Sequence, residues 1–250
     1  MTINISDVLD IVNLQNQWRT RETINLIASE NVQSDAVKNV EINDFMGRYA
    51  EGHPNTDQKD GRYYEGTRYI DQIESMAVSE MTKLANCLQA DVRPISGNAA
   101  NTAVALGILR GNDTVIVNSI ENGGHISHNP IGVVGRRIQV RGKVLTPGRE
   151  NSINLHFWPT TQDGYHLDTT KCLDLLEKTS PNLVILGKSL FLFPEPVKEI
   201  SEVCRAKNIP ILYDGAHVLG LITGGKFQDP FQEGAPVSYT HLTLPTTPYV

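Results

Sequence analysis

The chain has 250 residues, with 22 Lys and Arg against 28 Asp and Glu, a formal net charge of −6 and 40% hydrophobic residues. That length allows one large domain or two small ones around a real core. The acidic balance removes the overall electrostatic case for a nucleic-acid or anionic-membrane binder, and the 20 Gly and 13 Pro are scattered rather than clustered, unlike a disordered or fibrous chain.

From Ser6 to Gln17, Val8, Leu9 and Val12 share one face, which predicts a short amphipathic helix. Residues 1–45 read as an N-terminal arm without the continuous apolar run of a secretory signal. Gly47 to Gly66 is polar and turn-rich, and Ile70 to Leu88 regains helical periodicity with its acidic residues early. Beyond it, short apolar runs at Thr114–Val117, Leu183–Leu186 and Ile209–Tyr213 alternate with helical segments at Ala99–Leu109, Thr169–Lys178 and Val197–Lys207. Such alternation indicates βαβ units and a mostly parallel sheet, an α/β domain over residues 46–235.

The most apolar stretch, Leu183 to Phe193, is interrupted by Lys188 and far shorter than the roughly 20 apolar residues of a spanning helix. Cys87, Cys172 and Cys204 lie far apart with no metal-ligand spacing, so we expect buried reduced thiols, no metal and a cytoplasmic location. From Pro236 the sequence loses all charge and all clear periodicity. It looks like translated adapter read-through, so residues 236–250 are expected to be a non-native tail.

Four groups of residues carry chemistry. Ser96-Gly97-Asn98-Ala99-Ala100-Asn101 opens an apolar helix, where free backbone N–H groups and the Ser96 hydroxyl suit a phosphate, or where Ser96 is a plain helix cap. Asp214, with His217 close behind, ends a buried strand, where open α/β sheets bind ligands; a structural cap is the other reading. His125 follows Gly123-Gly124 and has room to lie flat against a planar ligand, or serves structure alone. Tyr49, Glu51, Arg62, Tyr63 and Tyr64 share one loop region, costly to bury unless they serve a site, and otherwise a solvated surface. Together the four describe a pyridoxal 5′-phosphate pocket: a phosphate cradle, a stacking imidazole, and an Asp that keeps the pyridine nitrogen protonated so that the ring accepts electrons from a substrate carbanion.

The chain resembles the serine hydroxymethyltransferases, of the fold-type-I pyridoxal phosphate enzymes, from about Thr20 to Ala235. The resemblance rests on Leu26-Ile27-Ala28-Ser29-Glu30-Asn31, Tyr49-Ala50-Glu51-Gly52, Gly61-Arg62-Tyr63-Tyr64-Glu65-Gly66, Ser96-Gly97 with Ala100-Asn101, Gly123-Gly124-His125, and Asp214 with Ala216-His217, in that order. Ser189-Leu190-Phe191-Leu192-Phe193 and Tyr64-Glu65-Gly66 are similar to archaeal-type members.

The resemblance implies the large, aspartate-aminotransferase-like domain of the family, incomplete here, in a homodimer or larger assembly. It implies transfer of a hydroxymethyl group between serine and a tetrahydrofolate-type carrier, giving glycine. By position, Ser29 would contact the substrate, Glu51 would be the acid–base group, and Tyr49 and Tyr64 would line the site from the other subunit. Ser96, Gly97 and Asn98 would hold the phosphate, His125 would stack on the ring, and Asp214 would pair with its nitrogen. His217 and Ser189 would bond its 3-oxygen side, and Ile120 and Gly124 fall where the family contacts folate.

Some positions depart from the pattern. Asn98 replaces the usual Ser or Ala, Asn122 stands where a His is common near folate, and the loop from Pro54 to Gly61 carries extra polar residues. The Schiff-base lysine would fall at about Thr243, where there is none. Lys226 comes too early and Lys188 precedes Asp214, and both read as surface residues. Two alternatives stand beside the transferase: a folate-independent, threonine-type aldolase, and a lysine-less paralogue without catalysis.

Overall fold

A computed structural model of the chain describes residues 4–27, 30, 32–54, 61–136, 139–140, 143–144, 153–235 and 237–239. Three helices come first, α1 (Ile5–Gln17), α2 (Asp35–Glu41) and α3 (Arg68–Leu84), followed by α4 (Gly97–Ile108), β1 (Thr114–Val117) and α5 (Val133–Arg136). Then come β2 (Gln139–Val140), β3 (Lys143–Val144), β4 (Asn154–Phe157), α6 (Thr169–Thr179) and β5 (Leu183–Leu186). The last elements are α7 (Val197–Ala206), β6 (Ile211–Asp214), α8 (Leu219–Thr223) and β7 (Val237–Tyr239).

The main sheet has the order β4-β1-β5-β6-β7 and every pairing in it is parallel. The expected α/β architecture with flanking helices is therefore present. Alternation along each strand explains how the sheet is held on both faces. Ile116, Val184, Leu186, Ile211 and Tyr213 pack on one side with Cys172, Leu176, Val197, Ile200 and Cys204 of α6 and α7. Val115, Val117, Leu183, Ile185 and Leu212 pack on the other with Ala100 and Ala105 of α4 and with Leu109 just beyond it. Each Val, Leu or Ile among them contributes roughly 1.5–3 kcal/mol by leaving water.

Several boundaries differ from expectation for local reasons. β6 starts at Ile211 because Pro210 has no N–H to donate; its carbonyl still accepts from Val184. α3 stops at Leu84, where the Cys87 N–H turns back to Thr82 and Asn86 takes a left-handed φ of 48°. α4 starts at Gly97, because the Ser96 side chain accepts from Ala99 N–H and caps the helix. Val237–Tyr239, inside the stretch set apart as a tail, pair with the edge that β6 otherwise leaves open.

The N-terminal region is different. No residue of α1, α2 or α3 is fully buried, and the apolar face of α1 (Ile5, Val8, Leu9, Val12) is exposed. Among the described residues, no helix is long and apolar enough to cross a membrane. All three cysteines are free; Cys172 and Cys204 are buried as expected, but Cys87 is only half-buried, in the turn after α3.

Candidate active site

Parallel strands bring their carboxyl ends to one edge of the sheet, and the loops that leave that edge build the site. β6 delivers Asp214, β5 runs into Gly187-Lys188-Ser189, and β1 runs into the turns from Asn118 to His128. The N-terminus of α4, with Ser96, Gly97, Asn98 and Asn101, completes the group.

Asp214 is buried, and its oxygens have unequal loads. Oδ2 accepts from Asn101 Nδ2 at 3.2 Å and lies 3.0 Å from His128 Nε2. Oδ1 accepts the Ala216 N–H at 3.1 Å, leaving acceptor capacity to spare. Burial alone would raise the carboxyl, but His128 above all, then Ala216 and Asn101, outweigh it and hold Asp214 at about 2. It is an anion fixed at the mouth of a parallel sheet.

His125 stands beside it. Its ring lies 5.8 Å from that of His128, edge-on, and 6.5 Å from that of His217. Nδ1 accepts from Ser127 N–H at 3.2 Å and meets Ser127 Oγ at 2.7 Å, which fixes the ring plane. Burial, then His128, pushes His125 below the usual imidazole range despite the pull of Asp214, so the ring is neutral at pH 7. Gly124 admits the turn, since any Cβ there would run into the Asn118 carbonyl. Ser189 is half-buried and donates its N–H to Gly123 O at 2.8 Å, joining the β5 loop to the β1 loop.

The structure thus brings Asp214, His125, His217 and Ser189 together at the end of the sheet that α4 also reaches. Ile120 and Gly124 lie on the same β1 loop, Ile120 exposed and Gly124 buried. Ser29 falls outside the described residues.

Tyr49, Glu51 and Tyr64 form a second group. The rings of Tyr49 and Tyr64 stack at 5.3 Å, and all three side chains are exposed. Among the described residues, no hydrogen bond, ion pair or ring contact ties them to Asp214. Beneath them Arg62 is a buried clamp rather than part of a solvated loop. It donates to Asp71 at 2.8 Å, to Glu74 at 2.6 Å, and to the Ala50 and Gly52 carbonyls on either side of Glu51.

Lys188 corrects the sequence reading. It is 4% exposed, donates to the Tyr165 carbonyl at 3.1 Å and pairs with the equally buried Glu195. The turn after β5 points it under the sheet's edge instead of into solvent. Lys226 is exposed, as expected.

Residues 3–247 match the sequence profile described as serine hydroxymethyltransferase. The chain belongs to the serine hydroxymethyltransferase family. It is 41% identical to the serine hydroxymethyltransferase of Pyrococcus abyssi over 95% of this chain and 52% of that protein. The proteins of that name from Thermococcus kodakarensis and Pyrobaculum calidifontis are 42% and 43% identical, over 95% and 96% of this chain and 51% and 52% of theirs. The chain spans about half the length of the curated relatives it matches.

For a serine hydroxymethyltransferase domain the donor set fits a pyridinium phosphate. Asp214 offers an anion with a free acceptor position, His125 a neutral ring, and α4 a helix N-terminus for a phosphate. Asn101 Oδ1, Asn118 Oδ1 and His128 Nδ1 are buried without a partner, an unfinished polar network of the kind a polar ligand completes. A metal fits less well, although the ligating atoms of His125, His128 and Asp214 lie within 4.8 Å of one another. A ligating His donates its other ring N–H to an acceptor, whereas His125 Nδ1 accepts and His128 Nδ1 has no acceptor.

Asn101 and His128 are the residues against Asp214 that sequence reasoning left without a role. Asn101 sits in a recognised motif, but no spacing rule marks His128. Only the turn from Ile126 to His128 places it against Asp214.

Proposed function

We propose that this chain is the cofactor-binding part of a pyridoxal 5′-phosphate-dependent glycine hydroxymethyltransferase, which moves a hydroxymethyl group between serine and a tetrahydrofolate-type carrier. The observation that carries the reading is the buried Asp214 anion at the end of β6, flanked by the neutral His125 ring. When bound, the cofactor supplies an electron sink for the carbanion left at the amino acid's α-carbon.

The residues divide the work. Asp214 holds a proton on the ring nitrogen, and His128 and Asn101 hold Asp214 in place and ionised. His125 would stack on the ring, and Ser189 and His217 would bond its 3-oxygen side. The N–H groups of Gly97 and Asn98 and the Ser96 hydroxyl receive the phosphate. Ile120 and Gly124 line the carrier side, and Ser29 meets the substrate.

Glu51 is the acid–base group, with Tyr49 and Tyr64 beside it, and they serve the Asp214 pocket of a partner subunit in a homodimer or larger assembly. Their exposure, their separation from Asp214 within one chain and the uncovered apolar face of α1 all support that arrangement. Residues 1–45 form the arm and residues 46–235 the cofactor domain, and residues 236–250 are foreign to it in sequence although Val237–Tyr239 pair with β6. No lysine follows Lys226. The 250-residue chain therefore binds the cofactor without a covalent bond, and borohydride reduction with pyridoxal phosphate should label no lysine specifically.

The function is tested by reading the source gene through the codons for Gly234 to Ser238 and assaying the product of the complete frame. A Thr-His-Lys after the Asp214 strand and carrier-stimulated conversion of serine to glycine, lost in Glu51→Gln, are expected. Carrier-independent cleavage of allo-threonine alone would assign the aldolase, and a frame without the lysine would assign the non-catalytic paralogue.

A further inference from the structure

Lys188 and Glu195 are charged, buried and absent from the chemistry above. Their side chains are 3% and 1% exposed, with Lys188 Nζ 3.5 Å from Glu195 Oε1. Burial pushes the Glu195 carboxyl up and Lys188 opposes it. Both oxygens accept: Oε2 from Gly187 N–H at 2.7 Å and Oε1 from Asn118 Nδ2 at 2.9 Å. Its backbone is held as well, since its N–H and carbonyl both bond the Gln228 side chain, at 2.8 and 3.0 Å.

Two partners of Glu195, Gly187 and Asn118, touch the candidate site from behind. Gly187 packs on the Asp214 backbone so closely that a Cβ would overlap the Asp214 carbonyl, and its φ of 108° is a glycine conformation. Asn118 lends its carbonyl to Asn129 Nδ2 at 3.1 Å, and the same amide holds the His125 carbonyl at 2.9 Å. Gly124 lies against that Asn118 carbonyl. The two loops then meet, with Ser189 and Leu190 N–H both donating to Gly123 O. An apolar pair filling this volume would spare the cost of burying two charges, but it would leave the Gly187 and Asn118 N–H groups without an acceptor. What the charged pair adds is direction, since one carboxylate fixes two loops at once.

We propose that Glu195, with Lys188 as its counter-ion, is a positioning residue that locks the Gly123–His125 turn to the Gly187–Ser189 turn and so sets where His125 and Ser189 stand around the cofactor ring. The inference rests on the cofactor reading of the Asp214 pocket.

The probe is pyridoxamine 5′-phosphate, which binds without a lysine. It is titrated by calorimetry into the unmodified 250-residue chain, into Asp214→Asn, and into the paired variant Lys188→Met with Glu195→Gln. Removing both charges together avoids stranding either one. The paired variant should stay folded with a lowered thermal midpoint, since a side-chain amide offers one oxygen to the two donors, while the Kd for the probe rises about tenfold, the scale of one misplaced hydrogen bond. The probe-induced shift of the His125 ring protons should shrink with it, a signature that a purely structural pair would not move.

A Kd within twofold of the unmodified chain, with Asp214→Asn impaired, overturns this inference and leaves the cofactor reading intact. An unmodified chain that does not bind, or binds no better than Asp214→Asn, overturns both. Should the paired variant not fold, hydrogen exchange of the unmodified chain decides. The Gly187 and Ser189 amides should be protected, and exchange at open-loop rates overturns the proposal.

Discussion

His128 Nε2 and Asp214 Oδ2 lie 3.0 Å apart with both side chains out of solvent. This contact, with the Asn101 amide on the same oxygen, makes an ionised Asp214 cheaper in the folded chain than in the unfolded one. Asp214→Asn should therefore destabilise the protein at pH 7 by about 1–3 kcal/mol, since an amide cannot accept from all three donors. The folded value, about 2, is below the unfolded value of 3.8, so the contribution is complete above pH 4 and is lost as pH falls towards 2. Urea melts of the two proteins should converge across that window; a gap that stays constant contradicts the assignment.

His125 should titrate below 6.5 by NMR of its ring protons, because burial and His128 disfavour the cation. The sign is opposite to that of a salt-bridged histidine. Its stabilising contribution is present above pH 6.5 and declines as pH falls, since the unfolded chain takes up the proton first. A midpoint above 6.5 would mean that the Asp214 charge outweighs burial.

Arg62 holds the Glu51 loop to α3. Arg62→Ala leaves Asp71 and Glu74 without their partner and frees the Ala50 and Gly52 carbonyls, at a cost of about 2–4 kcal/mol. Limited proteolysis should then cut first between Tyr49 and Pro54. Unchanged stability and cleavage would refute the clamp.

The thiols should separate in a single labelling experiment. Burial pushes Cys172 and Cys204 up to about 12, so at pH 8 neither is a nucleophile in the folded chain. Half-buried Cys87 should react first, and the other two only on unfolding.

How far the sequence could be read follows from what each residue needs. β1 and β5 show themselves to the residue, because a strand buried on both faces is a short apolar run between turns. β4 is an edge strand, Asn-Leu-His-Phe, whose exposed positions are free to be polar, and it carries no such run. Asp214 is legible because an acid directly after an apolar strand is rare without a purpose, and its partner His128 is not. Lys188 is misread because a lysine in a loop is usually solvated, and its burial is made tolerable by Glu195, brought across the turn before α7, and by the Tyr165 carbonyl. The separation of Glu51 from Asp214 depends on how loops fold back, which local pattern does not encode.

The most direct test of the account is the protonation state of a pyridine nitrogen held by this chain. Ring-15N pyridoxamine 5′-phosphate should bind the 250-residue chain and show a pyridinium 15N resonance that persists at pH values where the free ligand has lost the proton. In Asp214→Asn that resonance should move to the unprotonated position. A bound ligand with the same nitrogen shift in both proteins, or no binding at all, would contradict the assignment of this pocket.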